Sequence, residues 1–207
     1  GSGKSTIARL LMRFYELQGG NISLDGHDIR SVTQTSLRSA VSLVPDEPFL
    51  FSTSVHENIS YGKPGASREE VQSAARAAQA HEFIVELDGG YDTVVGERGY
   101  DLSGGQRQRI SLARLFLSDP QVLILDDSTS AIDVEIEERI HRSLKELMRE
   151  RTTIVIAHRL STIALADRVV LIGDGQVIAD GTHQQLLDTE PRYVETLAAS
   201  LGEDDSW

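Results

Sequence analysis

The chain has 207 residues, of which 40% are hydrophobic, and this content is sufficient for one substantial core or two small lobes. Its 20 Lys and Arg residues against 32 Asp and Glu residues give a net charge of −12, which argues against a surface that wraps nucleic-acid phosphates. The absence of cysteine excludes a disulfide framework and a thiolate metal site, and no apolar run approaches the roughly 20 residues that cross a bilayer.

The first six residues, G-S-G-K-S-T, match the second half of the phosphate-loop pattern G-x-x-x-x-G-K-[ST]. The first glycine of the pattern would precede residue 1, so we expect the sequence to begin inside this motif, after a missing strand. Small residues let backbone N–H groups approach phosphate oxygens, and a helix that begins near Lys4 would point its positive end at them. The predicted nucleotide-binding residues are therefore Gly1, Ser2, Gly3, Lys4, Ser5 and Thr6.

Within this loop, Lys4 would reach the β- and γ-phosphates and Ser5 would offer its hydroxyl to Mg²⁺. The alternative interpretation of the six residues is a flexible Gly-Ser linker. We prefer the phosphate loop because the apolar spacing from residue 7 to residue 14 predicts an amphipathic helix immediately after it.

Strand and helix patterns alternate along the rest of the chain. The predicted strands are residues 21–26, 40–44, 121–125, 153–157, 168–172 and 176–179, the last two joined by a turn at Asp174 and Gly175. The predicted helices are residues 67–87 and 106–117. This order predicts an α/β fold with a mostly parallel sheet, interrupted by an inserted helical lobe.

The stretch L-I-L-D-D-S-T-S-A-I-D (residues 123–133) begins as an apolar strand and ends in two carboxylates. A strand that ends at Asp126 places this side chain at the carboxyl edge of a parallel sheet, where ligands bind in such folds. We therefore predict that Asp126 holds Mg²⁺ together with Ser5. The alternative is a surface aspartate after a core strand.

The segment L-S-G-G-Q (residues 102–106) lies between the phosphate loop and the aspartate strand, just before a predicted helix. A serine hydroxyl, glycine N–H groups and a helix N-terminus together form a second anion-binding surface. At this position the segment resembles the signature of ATP-binding cassette (ABC) proteins. The resemblance covers nearly all 207 residues and is closest to the nucleotide-binding domain of ABC exporters.

The resemblance implies a P-loop NTPase core of the RecA-like kind, with a helical subdomain that carries the signature. One nucleotide-binding domain would cover residues 1–207, truncated within the phosphate loop (Walker A) at its start. Its parts would be a core lobe (1–46), the helical subdomain (47–119), a second core lobe (120–185), and a C-terminal helix with an acidic tail (186–207). The implied cofactors are ATP and Mg²⁺.

In the resembled family, two such domains stack head to tail, and the signature of one closes on the γ-phosphate of a nucleotide held by the other. This implies a nucleotide-binding role for Ser103, Gly104, Gly105 and Gln106 at the site of a partner. Residues 130–133, S-A-I-D, correspond to the D-loop, which crosses the dimer interface, and Asp133 is a predicted site residue. His158 corresponds to the switch histidine that contacts the γ-phosphate, although a lone histidine after a strand can also be purely structural.

Two further segments resemble the exporter domain. Residues 48–51 (P-F-L-F), with residues 57–59 and 61–62, resemble the exporter segment that faces the membrane domain. Residues 95–99 resemble the stretch that precedes the signature. The implied partners are a transmembrane domain and a second nucleotide-binding domain, not a nucleic acid, and the implied location is the cytoplasmic face of the cell membrane.

Two positions depart from the resembled family, and both would lie near the γ-phosphate. Exporters usually have a glutamate that polarises the attacking water where this chain has Asp127, which is shorter by one methylene. They have glutamine where this chain has Asp46. A catalytic group that is misplaced by about 1 Å can lower the reaction rate on the order of a hundredfold. The two differences, at Asp46 and Asp127, therefore predict a degenerate site, that is, one in which hydrolysis is impaired.

The sequence thus predicts an exporter ATPase domain that hydrolyses ATP weakly at its own site and completes the catalytic site of a partner through its signature. One alternative is a symmetric exporter in which Asp127 still acts as the base. A second is a soluble ABC ATPase that acts on nucleic acid, which the acidic charge disfavours. A third is an ATP-binding regulatory module that never hydrolyses ATP.

Overall fold

The computed structural model describes residues 3–96, 101–157 and 159–204, with side chains described as far as residue 198. The chain divides into two units: Gly1–Ser31 together with Val155–Trp207, and Val32–Ile154. In the first unit, the chain forms α1 (Lys4–Leu11) and then two short antiparallel strands, β1 (Ser23–Leu24) and β2 (His27–Asp28). The strand predicted over 21–26 is shorter in the structure because Asp25 and Gly26, with φ of 47° and 80°, form a tight turn.

The unit Val32–Ile154 begins with an α/β segment and continues with short helices. These elements are α2 (Gln34–Ala40), β3 (Val41–Val44), α3 (Val55–Ser60), α4 (Arg68–Ala77) and α5 (His81–Glu86). The continuous helix predicted over 67–87 is therefore wrong in its middle. Gln79 has φ of 54°, and the N–H of Ala80 donates to the carbonyl of Ala75 at 2.8 Å, a Schellman arrangement that ends α4.

The same unit then contains its longest helices and the central strands. These are α6 (Gly104–Ser118), β4 (Val122–Asp126) and α7 (Val134–Met148). The strand β5 (Thr152–Ile156) follows, and the boundary between the two units falls within it. The strands form a sheet in the order β3-β4-β5, and β3 and β4 are parallel, with Val44 opposite Leu125. These strands agree closely with those predicted over 40–44, 121–125 and 153–157.

The core of this unit is built around β4. Its V-L-I-L sequence is buried without alternation, as expected for a central strand of a parallel sheet. Side chains from the two long helices complete the core. The fully buried side chains of these elements include Ile110, Leu112, Leu123, Ile124, Leu125, Ile140 and Leu144.

The remainder of the first unit contains α8 (Leu160–Ile163), the antiparallel pair β6 (Val169–Gly173) and β7 (Gln176–Gly181), α9 (His183–Thr189) and α10 (Pro191–Asp204). The predicted hairpin turn at Asp174 and Gly175 is confirmed, with φ of 51° and 72°. The single C-terminal helix predicted from residue 186 is instead two helices. Pro191 starts the second one, because proline lacks an N–H and fits the first helical position.

Capping boxes begin α3, α4, α6 and α9. In each box the residue before the helix and the third helical residue exchange hydrogen bonds between side chain and backbone, which satisfies two N–H groups at the helix start. Within the described residues, no helix is long and apolar enough to cross a membrane.

The capping box of α4 provides a test of helix stability in the Val32–Ile154 unit. The Ser67 hydroxyl accepts a hydrogen bond from the N–H of Glu70, so Ser67→Ala should lower the free energy of unfolding by about 1 kcal/mol in a urea titration. Ser73→Ala is the matched control, since Ser73 is exposed inside the same helix and alanine is a better helix former there. Equal effects of the two substitutions would contradict the capping role.

Candidate functional site

The predicted phosphate-binding residues surround the start of α1. Gly3 precedes the helix with φ of 94°, a left-handed conformation that glycine adopts without steric cost. Lys4, Ser5 and Thr6 form the first turn, where backbone N–H groups lack carbonyl partners within the helix. This geometry can bind an anion through those N–H groups and the positive end of the helix dipole. Gly1 and Ser2 lie outside the described residues.

Two other predicted features also fall outside the described residues. His158, the predicted γ-phosphate contact, follows β5 and precedes α8. Residues 97–99 are the last three of the segment 95–99, which resembles the stretch before the signature. The roles of both remain predictions.

The acidic residues Asp46 and Asp126 of the candidate site lie at the same edge of the parallel sheet, where β3 and β4 end. Asp126 is the last residue of β4, as predicted, and Asp46 lies two residues after the end of β3. Because Val44 pairs with Leu125 in a parallel register, the segments that follow both strands emerge side by side. Asp127 follows with φ of 44°, a left-handed conformation that aspartate adopts more readily than most residues.

Hydrogen bonds join Asp46 to the loop after β4 and to α6. The Ser130 hydroxyl donates to Asp46 Oδ1 at 3.0 Å. The side-chain amide of Gln108 donates to the Asp46 carbonyl oxygen at 3.2 Å and to Ser130 Oγ at 2.9 Å, and its oxygen accepts from the N–H of Ala131 at 3.0 Å. The structure thus brings together two predicted segments through a residue that the sequence analysis missed.

The signal for Gln108 is visible in retrospect. Residue 108 lies on the buried face of α6, four residues before Leu112 and seven before Leu115, so a helical pattern would place an apolar side chain there. Only 2% of Gln108 is exposed. A buried amide at a core position indicates a specific set of hydrogen-bond partners.

The signature segment forms the start of α6. Ser103 is the capping residue, and its hydroxyl oxygen accepts from the N–H of Gln106 at 3.2 Å, while Gln106 Oε1 accepts from the N–H of Ser103 at 2.8 Å. This bond uses a lone pair of the serine, so its O–H can still donate to an anion. Ser103, which is predicted to bind an anion, therefore also caps the start of α6.

The two signature glycines pack against the D-loop segment. A Cβ atom on Gly105 would lie 2.7 Å from the carbonyl oxygen of Ala131, and one on Gly104 would lie 3.3 Å from the Ala131 Cβ atom. Position 105 therefore requires glycine because the loop backbone approaches it closely. This contact places the helix start and the D-loop segment side by side.

The loop after β4 is also held from α7. The Thr129 hydroxyl donates to the carboxylate of Glu137 at 2.7 Å, and both residues are buried. Asp133 precedes α7 and is exposed, and its side chain makes no capping bond to that helix. The predicted D-loop aspartate is therefore presented to solvent by a loop whose other side is fixed.

Arg109 joins the signature helix to the turn between α4 and α5. It donates to the Gln79 carbonyl oxygen at 2.8 Å, and its guanidinium lies 4.6 Å from the centre of the Phe83 ring. Burial lowers the pKa of Arg109, and the Asp133 carboxylate acts in the opposite direction. The helical turn at Gln79, which the sequence analysis did not predict, thus serves to hold α6.

The segment predicted to face a membrane domain presents an aromatic patch formed by Phe49, Phe51 and Tyr61. Phe49 is 52% exposed and Tyr61 is 63% exposed. The Phe51 ring lies 5.2 Å from the Phe49 ring and 4.8 Å from the Tyr61 ring. The Arg114 guanidinium lies 5.8 Å from the centre of the Phe51 ring and 5.6 Å from that of the Tyr61 ring, and it donates to the Asn58 carbonyl oxygen at 2.9 Å. An exposed aromatic patch of this kind is typical of a protein contact surface.

The donors predicted for Mg²⁺ fit the ion in chemistry. The Asp126 carboxylate and the Ser5 hydroxyl are oxygen donors, which Mg²⁺ prefers. Among the described residues, no group of three or more His, Asp or Glu side chains could hold a metal by itself.

Comparisons with known proteins agree with these features. A family model described as ABC transporter matches residues 1–130. The chain is 51% identical over 193 residues to a putative multidrug export ATP-binding/permease protein of Bacillus subtilis, covering 93% of this chain and 33% of that protein. It is 48% identical over 204 residues to the ATP-dependent lipid A-core flippase of Syntrophus aciditrophicus, covering 99% and 34%.

A solved structure of a bacterial Atm1-family ABC exporter with ATP bound matches with a TM-score of 0.92 and 47% identity, covering 96% of this chain and 35% of that one. The chain thus spans about a third of the length of each of these three proteins.

The close approach of Ala131 to Gly105 provides a test of the packing at the site. Gly105→Ala should lower the free energy of unfolding by about 1–3 kcal/mol, because the added Cβ would overlap a backbone oxygen. Gly19→Ala is the control, since no atom lies within 4 Å of a Cβ there, and its effect should stay within about 0.5 kcal/mol. Urea unfolding of both variants decides the point, and a harmless Gly105→Ala would contradict the packing.

Proposed function

Because the chain belongs to the ABC transporter family and is an ATP-binding domain of that family, we propose that it couples ATP binding and hydrolysis to export of a substrate across a membrane. The names of the relatives, a multidrug exporter and a lipid A-core flippase, support export as the direction of transport. The observation that carries the proposal is the packing of the signature helix on the D-loop segment, in the loop that follows Asp126 and Asp127.

We assign the nucleotide-binding roles by the chemistry of each group. The backbone N–H groups at the start of α1 and the ammonium of Lys4 would bind the phosphates of ATP. Ser5 and Asp126 would hold Mg²⁺, which supplies charge neutralisation at the β- and γ-phosphates when bound. His158 would contact the γ-phosphate, as its position in the resembled family implies.

The chain's own site is proposed to be degenerate. Asp127 stands at the position of the base but reaches one methylene less far than glutamate. The Asp46 carboxylate, at the position of the family's glutamine, accepts a hydrogen bond from Ser130, which turns one of its oxygens toward the loop. Both features favour durable ATP binding over rapid hydrolysis at this site.

The signature is proposed to serve a second nucleotide-binding domain in a head-to-tail pair. Ser103 keeps a hydroxyl proton for an incoming phosphate, and the glycines that follow it begin a helix with its positive end exposed to that ligand. Asp133, on the exposed side of the D-loop, would face the same interface. This chain would therefore complete the catalytic site of its partner.

The aromatic patch of Phe49, Phe51 and Tyr61 is proposed to contact a transmembrane domain on the cytoplasmic side of the cell membrane. Nucleic acid is a poor partner because the net charge of −12 would repel its phosphates. We also propose that residues 47–119 act as the helical subdomain between two core lobes.

ATP binding at the phosphate loop is tested by Lys4→Ala. Loss of the ammonium should weaken binding of Mg-ATP by at least about tenfold, because charge-assisted bonds to phosphate are lost. Equilibrium titration with a fluorescent ATP analogue measures the change. Lys145→Ala is the control, because Lys145 is an exposed lysine on α7, and this variant should bind Mg-ATP as tightly as the unmodified protein does. Equal affinities of the two variants would contradict the assignment.

The degenerate site is tested in the assembled transporter with its natural partner domain. Replacing the glutamate that follows the partner's metal-binding aspartate by glutamine should abolish most ATP hydrolysis, measured as phosphate release. In that background, Asp127→Glu with Asp46→Gln should raise hydrolysis on the order of tenfold to a hundredfold, since a correctly placed base is restored.

The outcomes separate the competing interpretations. Turnover that persists near its original level without the partner's glutamate would show that Asp127 is a competent base, as in a symmetric exporter. If nucleic acid stimulates ATP hydrolysis, and reconstitution of the transporter into a membrane does not, a soluble ABC ATPase would be favoured.

A further inference from the structure

We propose that Gln108 is a positioning residue of the ATP site, which links the signature helix to Asp46 and to the D-loop through its side-chain amide. This inference rests on the proposed function for its catalytic consequence. It concerns a residue that touches neither phosphate nor metal in any role assigned above, and that acts on the residues that do.

The amide of Gln108 has one arrangement that satisfies its surroundings. Its nitrogen has two hydrogens, and these go to the Asp46 carbonyl oxygen at 3.2 Å and to Ser130 Oγ at 2.9 Å. Its oxygen accepts from the N–H of Ala131 at 3.0 Å. Because the Ala131 N–H can only donate and the Asp46 carbonyl can only accept, the orientation of the amide is determined. Because only 2% of Gln108 is exposed, water competes little for these hydrogen bonds.

The hydrogen bonds continue from the amide to a carboxylate. The Ser130 hydroxyl accepts a hydrogen bond from the Gln108 amide and donates one to Asp46 Oδ1 at 3.0 Å. A chain that runs from amide to hydroxyl to carboxylate has a fixed direction, and its charged end strengthens the bond before it. Gln108 therefore holds residue 46 twice, at its backbone directly and at its side chain through Ser130.

The loop that Gln108 holds has little freedom elsewhere. Ala131 lies against Gly104 and Gly105 of the signature, and Thr129 is bonded to the buried Glu137 of α7. A displacement of α6 would therefore carry the D-loop and Asp46 with it. In a head-to-tail pair, α6 presents the signature to the partner's nucleotide, whereas Asp46 and Asp127 belong to this chain's own site. Gln108 thus couples the two sites mechanically.

The first test replaces the amide by an apolar side chain of similar size in the assembled transporter. Gln108→Leu should lower kcat for ATP hydrolysis on the order of tenfold while leaving KM within about twofold. The affected hydrolysis is that at the partner's site, because the signature at the start of α6 would still contact the partner's nucleotide but would no longer be held in alignment. Ile110→Ala is the matched control on the same helix. It removes buried apolar volume without touching the network and should lower Tm with little change in kcat.

A double-mutant cycle tests whether the residues act as one chain. Ser130→Ala removes the link to the Asp46 carboxylate, so Gln108→Leu with Ser130→Ala should have nearly the kcat of Gln108→Leu alone. Losses that multiply would show independent effects and overturn the coupling. A Gln108→Leu variant that resembles Ile110→Ala, with lower Tm and normal kcat, would make Gln108 a packing residue only.

A third readout does not depend on turnover. The Ala131 N–H is bound by Gln108, so its hydrogen exchange should become at least about tenfold faster in Gln108→Leu, beyond any change seen in Ile110→Ala. Unchanged exchange at Ala131 would overturn the positioning role even if the transporter is active. If the unmodified transporter hydrolyses no ATP but exchange at Ala131 is faster in Gln108→Leu, the hydrogen-bond network is supported and the proposed function is refuted.

Discussion

The candidate site depends on the confinement of one loop between two helices. Residues 127–133 follow the buried strand β4, and this loop donates hydrogen bonds to Gln108 on α6 and to Glu137 on α7. A loop after a strand would ordinarily be mobile, because few contacts oppose its conformational entropy. Here buried polar groups must stay paired, and each lost partner would cost about 1–3 kcal/mol. The loop therefore holds Asp127 and Asp133 in a fixed arrangement relative to Asp126 at the end of β4.

The short motifs and the fold class could be predicted from sequence, and the comparisons confirm the family and its P-loop fold. The apolar run before Asp126 and the Gly-Gly pair at 104–105 carry local signals that do not depend on distant residues. The network around Gln108 joins residues 46, 108 and 130, which are far apart in sequence, so no local pattern reveals it. The break at Gln79 was missed because helix propensity around it is high and the cause is a turn stabilised by Arg109.

The two proposed departures from the family would have different physical consequences. Asp127 would shorten the reach of the base, whereas Asp46 would place a carboxylate at a position that is bound to the D-loop through Ser130. A carboxylate is a stronger acceptor than the carboxamide it replaces, so Asp46 would tighten the link to the loop. In the proposed asymmetric pair, a site with a short base and a tightly held loop suits prolonged nucleotide binding, and the intact signature serves the partner.

The most direct measurement of this asymmetry is the chemical state of the nucleotide bound at this chain's own phosphate loop during turnover. The transporter would be supplied with a photoreactive, α-phosphate-labelled ATP analogue, cross-linked during steady hydrolysis, and its two domains separated. We predict that uncleaved triphosphate is attached to this chain and that diphosphate predominates on the partner. Diphosphate in equal proportion on both domains would contradict it.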